Sequence, residues 1–199
     1  MKKIALQISA IALFLVVATG CAKLPQVELD AAKAAVENAK SVEANRYLPT
    51  EFNALQDSLN AVNIEIETEK SKLFISRSYK AATEKLSSIT AEAEALVTKT
   101  EERKAQVRTE VQESFAALTA LIQEVKDLLV KAPRGKEGKA ALEAIQTDIT
   151  VIEASVNEIN TLVSNGDYLT AQDKVNASKA KAEAIKAELE AAIAKVRRR

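Results

Sequence analysis

The 199-residue chain balances 28 basic against 28 acidic side chains and contains no histidine, no tryptophan and a single cysteine. It therefore lacks the commonest general base and transition-metal ligand, and one cysteine cannot close a disulfide within the chain. The balance of charge leaves no clustered basic face for nucleic acid, so neither an enzyme, a cofactor nor a nucleic-acid partner is expected.

The chain begins with Lys2 and Lys3, followed by an apolar stretch, Ile4 to Val17, broken only by Gln7 and Ser9. Small residues then lead through Val17-Ala18-Thr19-Gly20 to Cys21. A charged start, a short apolar core and a small-residue cleavage site mark an export signal. The stretch is short for a spanning helix, which needs roughly 20 apolar residues; an uncleaved membrane anchor is the alternative. With cysteine directly after the small residues, the segment resembles the lipobox of bacterial lipoproteins. That resemblance implies a signal peptide over 1–20, acylation of Cys21 (palmitate being one such chain), and a lipidated tether over 21–27. Lipoproteins of this type carry two or three acyl chains, and with each buried methylene contributing about 0.8 kcal/mol the anchor would be durable. Ala22 stands where inner-membrane retention uses Asp, which by the same analogy implies an outer-membrane lipoprotein facing the periplasm. Loss of Lys2 and Lys3 with the signal leaves 26 basic residues against 28 acidic, a net charge near −2.

Beyond the tether the chain is rich in Ala, Glu, Lys, Leu and Gln, and apolar residues recur three and four apart, the helical period. A first helix is predicted from about Val27 to Asn45, with a small inner face of Ala32, Ala35, Ala39 and Val42. Alanine buries little area, so this helix is expected to be the more easily detached. Pro49 suits a first-turn position and opens a second helix that ends near Leu73. A third begins near Arg77 and meets no Gly or Pro until Pro133, about 55 residues or roughly 80 Å. The fourth runs from about Lys136 to Val163. Ser164-Asn165-Gly166-Asp167 then supplies a C-cap glycine and an N-cap aspartate, and a fifth helix covers about Tyr168 to Val196.

Two of these helices carry the same heptads. Phe52, Leu55, Leu59, Val62, Ile66, Glu69 and Leu73 superpose at a constant offset of 90 on Leu142, Ile145, Ile149, Ile152, Val156, Ile159 and Val163. At offset 89, Tyr79, Ala82, Leu86, Ile89, Ala93 and Leu96 meet Tyr168, Ala171, Val175, Ser178, Ala182 and Ile185, so one net residue is lost at the turn. An internal repeat of this kind governs the fold. The long third helix would serve one bundle with its first half and another with Val107, Val111, Leu118, Leu121, Val125 and Leu129. Between the halves, Thr98 to Lys104 contains no apolar side chain. The expectation is an all-α, elongated antiparallel bundle: two three-helix units, 28–100 and 101–199, sharing one long central helix through a solvated neck. This arrangement resembles spectrin-type arrays. A break at the neck with side-by-side packing of five helices is the alternative.

No cluster of residues points to a reaction. Glu65, Glu67 and Glu69, Glu92 and Glu94, and Glu101 and Glu102 are spaced so that neighbours diverge around a helix instead of sharing a face. Lys80 with Glu84, Lys179 with Glu183, and Lys186 with Glu190 have the spacing of surface ion pairs. No metal site is expected. The stretch Arg134 to Lys139 is the most basic loop but lacks the phosphate-loop spacing and a preceding strand. The run Lys195 to Arg199 suits a helix C-terminus, with contact to anionic lipid or another envelope polymer as the alternative. Tyr79 and Tyr168 are expected to pack at bundle ends with their hydroxyls in water.

The run Ala44-Asn45-Arg46-Tyr47-Leu48-Pro49-Thr50-Glu51-Phe52, with Ala54, Leu55, Leu59 and Ser78-Tyr79-Lys80-Ala81-Ala82, is similar to an uncharacterised helical domain of bacterial envelope lipoproteins. A fainter second copy lies around Pro133 and Tyr168. That domain often precedes an OmpA-type peptidoglycan-binding module. The resemblance implies a lipid-anchored structural or interaction protein of the cell envelope, a spacer or scaffold. Its partners would be the membrane through Cys21 and either an envelope protein or another copy of itself. An adaptor of an envelope transport or secretion complex, or an apolipoprotein-like carrier that opens around lipid, are the other readings.

Overall fold

Why the chain is helical is visible in how its ends are made. The computed structural model describes residues 23–133 and 138–197. Among the described residues there are six α-helices and no strand: α1 Gln26–Ser41, α2 Ala44–Tyr47, α3 Pro49–Ser71, α4 Lys80–Lys131, α5 Lys139–Ser164 and α6 Tyr168–Arg197. The protein is an all-α helical bundle, and its contacts divide it into two compact units between Glu102 and Arg103. No described helix is long and apolar enough to cross a membrane.

In the first unit, α1 stops earlier than its alanine pattern predicts. Glu43 takes a left-handed conformation at φ 65°, which an α-helix cannot continue through. The chain re-enters helix as the single turn α2 and then α3, with Pro49 in the first turn as expected. The core joins Leu29, Ala32, Val36 and Ala39 of α1 to Phe52, Leu55, Val62 and Ile66 of α3. Ala82, Leu86, Ile89, Ala93 and Leu96 of α4 complete it. The inner face of α1 is thus less uniformly small than predicted. Leu29 and Val36 enter the core, while Ala35 and Val42 are half-buried, because the buried stripe steps 29, 32, 36, 39.

The buried stripe of α4 does not end at Leu96. Thr100 is fully buried, its hydroxyl donating to the Leu96 carbonyl at 2.7 Å. The helix is continuous over 98–104, but the expectation that this stretch is solvated throughout is corrected. A threonine whose hydroxyl bonds back to its own helix satisfies its polar atom without water.

In the second unit, α5 packs against α6 and buries Ile145, Ile149, Ile152 and Ile159, facing Ala171, Val175, Ser178, Ala182, Ile185 and Leu189. From α4 come Val107, Val111, Leu118, Ile122 and Val125. Ile122 takes the buried place predicted for Leu121, which with Leu129 is half-buried. Polar pairs fix the register. Gln172 donates to Glu110 at 2.8 Å and Lys186 pairs with Glu124 at 2.8 Å. Both pairs span 62 positions, so α6 runs parallel to this part of α4. Lys126 pairs with Glu153, and Lys174 with Glu158, across the other two helix pairs.

Candidate functional site

Cys21, the one predicted modification site, lies outside the described residues, as do the signal over 1–20 and Arg134 to Glu137 of the basic loop. The chain that would leave Cys21 is described from Lys23, and it is held at once: Leu24 packs against the first unit's core and Pro25 is buried. The Pro25 carbonyl accepts the Leu29 amide at 3.0 Å, starting α1. The connection through Glu43 and α2 is short, and α1 and α3 are in contact, so they run antiparallel. The start of α1 and the end of α3 therefore share one end of the first unit.

That end carries a feature the sequence reading missed. α3 terminates at Ser71, and Leu73, Phe74 and Ile75 stand 78%, 68% and 86% exposed in a short 3-10 turn, Phe74–Ser76. Leu73 was expected in the heptad seam and is instead outside the helix. The cause is Glu69, which occupies a seam position but turns its carboxylate to the turn. It accepts the Ser78 amide at 3.1 Å and pairs with Lys72 at 2.6 Å. The Lys72 hydrogen bond, then the Ser78 amide, hold the Glu69 carboxyl below the usual carboxylate range. Arg77 completes the frame, donating from Nε to the Lys72 carbonyl at 2.9 Å and from Nη2 to the Lys70 carbonyl at 2.8 Å. These are carbonyls a helix end leaves open. The available signal was three consecutive large apolar residues, where a heptad accounts for one.

The other candidates resolve into solvated faces. Lys80 pairs with Glu84 at 3.9 Å as spaced, Glu65 with Lys85 at 2.5 Å and Glu67 with Lys70 at 2.5 Å. Glu92 accepts from Ser88 at 2.8 Å. Lys186 reaches across to Glu124 instead of bonding Glu190 within α6. The Glu124 carboxylate, with the more distant Glu190 and Glu183, raises the Lys186 ammonium above its ordinary value. Glu110 is held low chiefly by the Gln172 amide, and also by Arg103 at 3.1 Å. Among the described residues no group of three or more His, Cys, Asp or Glu is placed to hold a metal. Of the two tyrosines, Tyr79 is buried and Tyr168 half-buried. Gly138 precedes α5, and Lys139 beyond it lies 3.9 Å from Glu143. Lys195 is exposed, and the side chains of Arg197 to Arg199 lie outside the described residues. No family model, curated protein or solved structure matches this chain.

Proposed function

We propose that the chain is a lipid-anchored helical protein of the bacterial cell envelope. In this reading Cys21 holds it to the outer membrane, and the two helical units form a spacer or scaffold in the periplasm. The observation that carries the reading is the run from Lys2 to Cys21, a charged start, a short apolar core and small residues ending at the lone cysteine. The helical units support it, since their buried seams give a stable polar-surfaced body and their described side chains form solvated ion pairs. In this reading the working face is a docking surface.

The test is the mass of the protein recovered from bacterial membranes, with sequencing of its first peptide. The expected result is a chain starting at Cys21 with acyl groups on that residue. A chain starting at Met1, or one with a free thiol at Cys21, would overturn the reading. In-cell crosslinking of the same preparation separates the roles: copies of itself, lipid or wall fragments fit a spacer, whereas one protein in fixed ratio makes it an adaptor.

A further inference from the structure

The exposed turn at the end of α3 is built from two parts that point in opposite chemical directions. Its backbone is closed by polar groups of its own: Arg77 covers the Lys70 and Lys72 carbonyls, Glu69 takes the Ser78 amide, and Ser76 donates both its amide and hydroxyl to the Leu73 carbonyl at 2.9 Å. None of these bonds uses an apolar side chain. Leu73, Phe74 and Ile75 are left projecting, and nothing in the turn's own construction requires them to be apolar. The second hairpin makes the comparable reversal with Asn165, Gly166 and Asp167.

The surroundings say what such a tip meets. From Lys70 to Lys80 the chain carries Lys70, Lys72, Arg77 and Lys80 and no acidic residue. Lys70 and Lys80 pair with Glu67 and Glu84 on the helices to either side, and Glu69 is the one carboxylate drawn into the turn, between Lys72 and the Ser78 amide. An apolar tip inside a cationic collar fits the boundary of a bilayer with anionic headgroups, where the collar meets phosphates and the tip enters the acyl region. The Lys70, Lys72 and Leu73 carbonyls and the Ser76 and Ser78 amides are already bonded, so fewer open donors and acceptors accompany the tip into that region.

Position within the unit agrees. The tip shares its end with the start of α1, where Val27 is also 79% exposed in the first turn. α3 is longer than α1 by seven residues, roughly 10 Å of helix. Leu24 is held on the core, and three residues lead back from it to Cys21, a span of roughly 10 Å when extended. The tether is therefore long enough for a lipidated Cys21 and the tip to meet one membrane surface. We infer that Leu73, Phe74 and Ile75, collared by Lys70, Lys72, Arg77 and Lys80, form a second membrane contact that inserts into an anionic bilayer and orients the first unit on it. The placement rests on the anchored reading above; the tip's own chemistry does not.

The experiment uses the full chain purified from membranes, carrying Phe74→Cys labelled with an environment-sensitive fluorophore, in vesicles of phosphatidylethanolamine and phosphatidylglycerol. Asn165→Cys, in the polar turn, is the control. Lipids brominated along the acyl chain are the quencher. Strong quenching at position 74 and little at 165 is expected. Replacing Leu73 and Ile75 by Ser should weaken it, each lost apolar side chain lowering insertion by roughly tenfold. Equal or absent quenching at the two positions would overturn the inference, as would a photo-crosslinker at 74 that captures one protein in cells while bromolipid leaves the label bright. The number of labels per chain reads Cys21 separately: one label means an acylated cysteine and two mean a free thiol. A failed anchor and a failed tip are thus told apart.

Discussion

The two hairpins share a seam and differ at their turns, and the difference begins at one residue. Of the six paired positions after the turn, all six in the first hairpin and five in the second are buried; only Tyr168 is half-exposed. Before the turn every pair is apolar until Glu69 meets Ile159, with both members buried at Leu55 and Ile145 and at Val62 and Ile152. Ile159 is fully buried and α5 continues to Ser164, ending with the Asp167 amide on the Leu162 carbonyl and the Gly166 amide on Val163. This is a Schellman closure with Gly166 in the left-handed region at φ 80°. With Glu69 in the seam instead, α3 ends at Ser71 and an eight-residue connection, 72–79, follows. A net change of one residue thus becomes two different turns. Heptads constrain the packed lengths, and only the capping residues constrain how they are joined.

The largest test of the shared seam is truncation at paired core positions. Leu86 and its counterpart Val175 are both fully buried. Leu86→Ala should cost about 3–4 kcal/mol, the transfer of the lost methylenes plus a cavity. Val175→Ala should cost about 2 kcal/mol, with fewer methylenes lost. Urea unfolding read by amide exchange in each hairpin checks this. Equal losses at the two sites would mean that the second seam is no less dependent on its side chains, although Ser178 stands there where the first has Ile89.

How much of this the sequence displayed follows from what repeats. The seam positions were legible because period and burial are the same physical fact; Leu55, Val62, Ile66, Ile145, Ile152 and Ala182 all fall where the offsets place them. Pro49 and Gly166 were legible because each is nearly alone in meeting its local requirement. The break after Ser41 was not, since Glu43 carries no mark of a left-handed residue. Nor was the tip, because Leu73 satisfies the heptad and only the long-range bonds of Glu69 and Arg77 remove it from the helix. Thr100 escaped for a related reason: its side chain reads as polar until the hydroxyl is seen bonded to Leu96.

The turns give the next test. Gly166→Ala places a side chain at φ 80°, and although nothing lies within 4 Å of the added carbon, the backbone alone should cost about 1–2 kcal/mol. Phe74→Ala removes a larger side chain from the other turn, yet it should change stability by no more than about 0.5 kcal/mol, because most of that side chain lies in solvent. Thermal melting of the two variants decides this. A destabilising Phe74→Ala would show that the tip is bound to the first unit and not free to meet a membrane.

The smallest effect separates the units by pH. Glu69 and Glu110 both titrate below the usual carboxylate range. Each therefore stabilises its unit above the unfolded value, about 4.3, and loses that contribution as pH falls through the lowered folded value. Acid should weaken both hairpins together. Alkali should not: Lys186 has its pKa raised by Glu124, so its contribution is complete below the unfolded value of about 10.4 and is lost as pH rises through the higher folded one. Lys186 and Glu124 both belong to the second unit. Amide exchange in α6 should accelerate in strong alkali relative to acceleration from base catalysis alone, and Lys186→Met should abolish that excess. An excess of the same size in α3 would assign the alkaline loss to the chain as a whole and not to this pair.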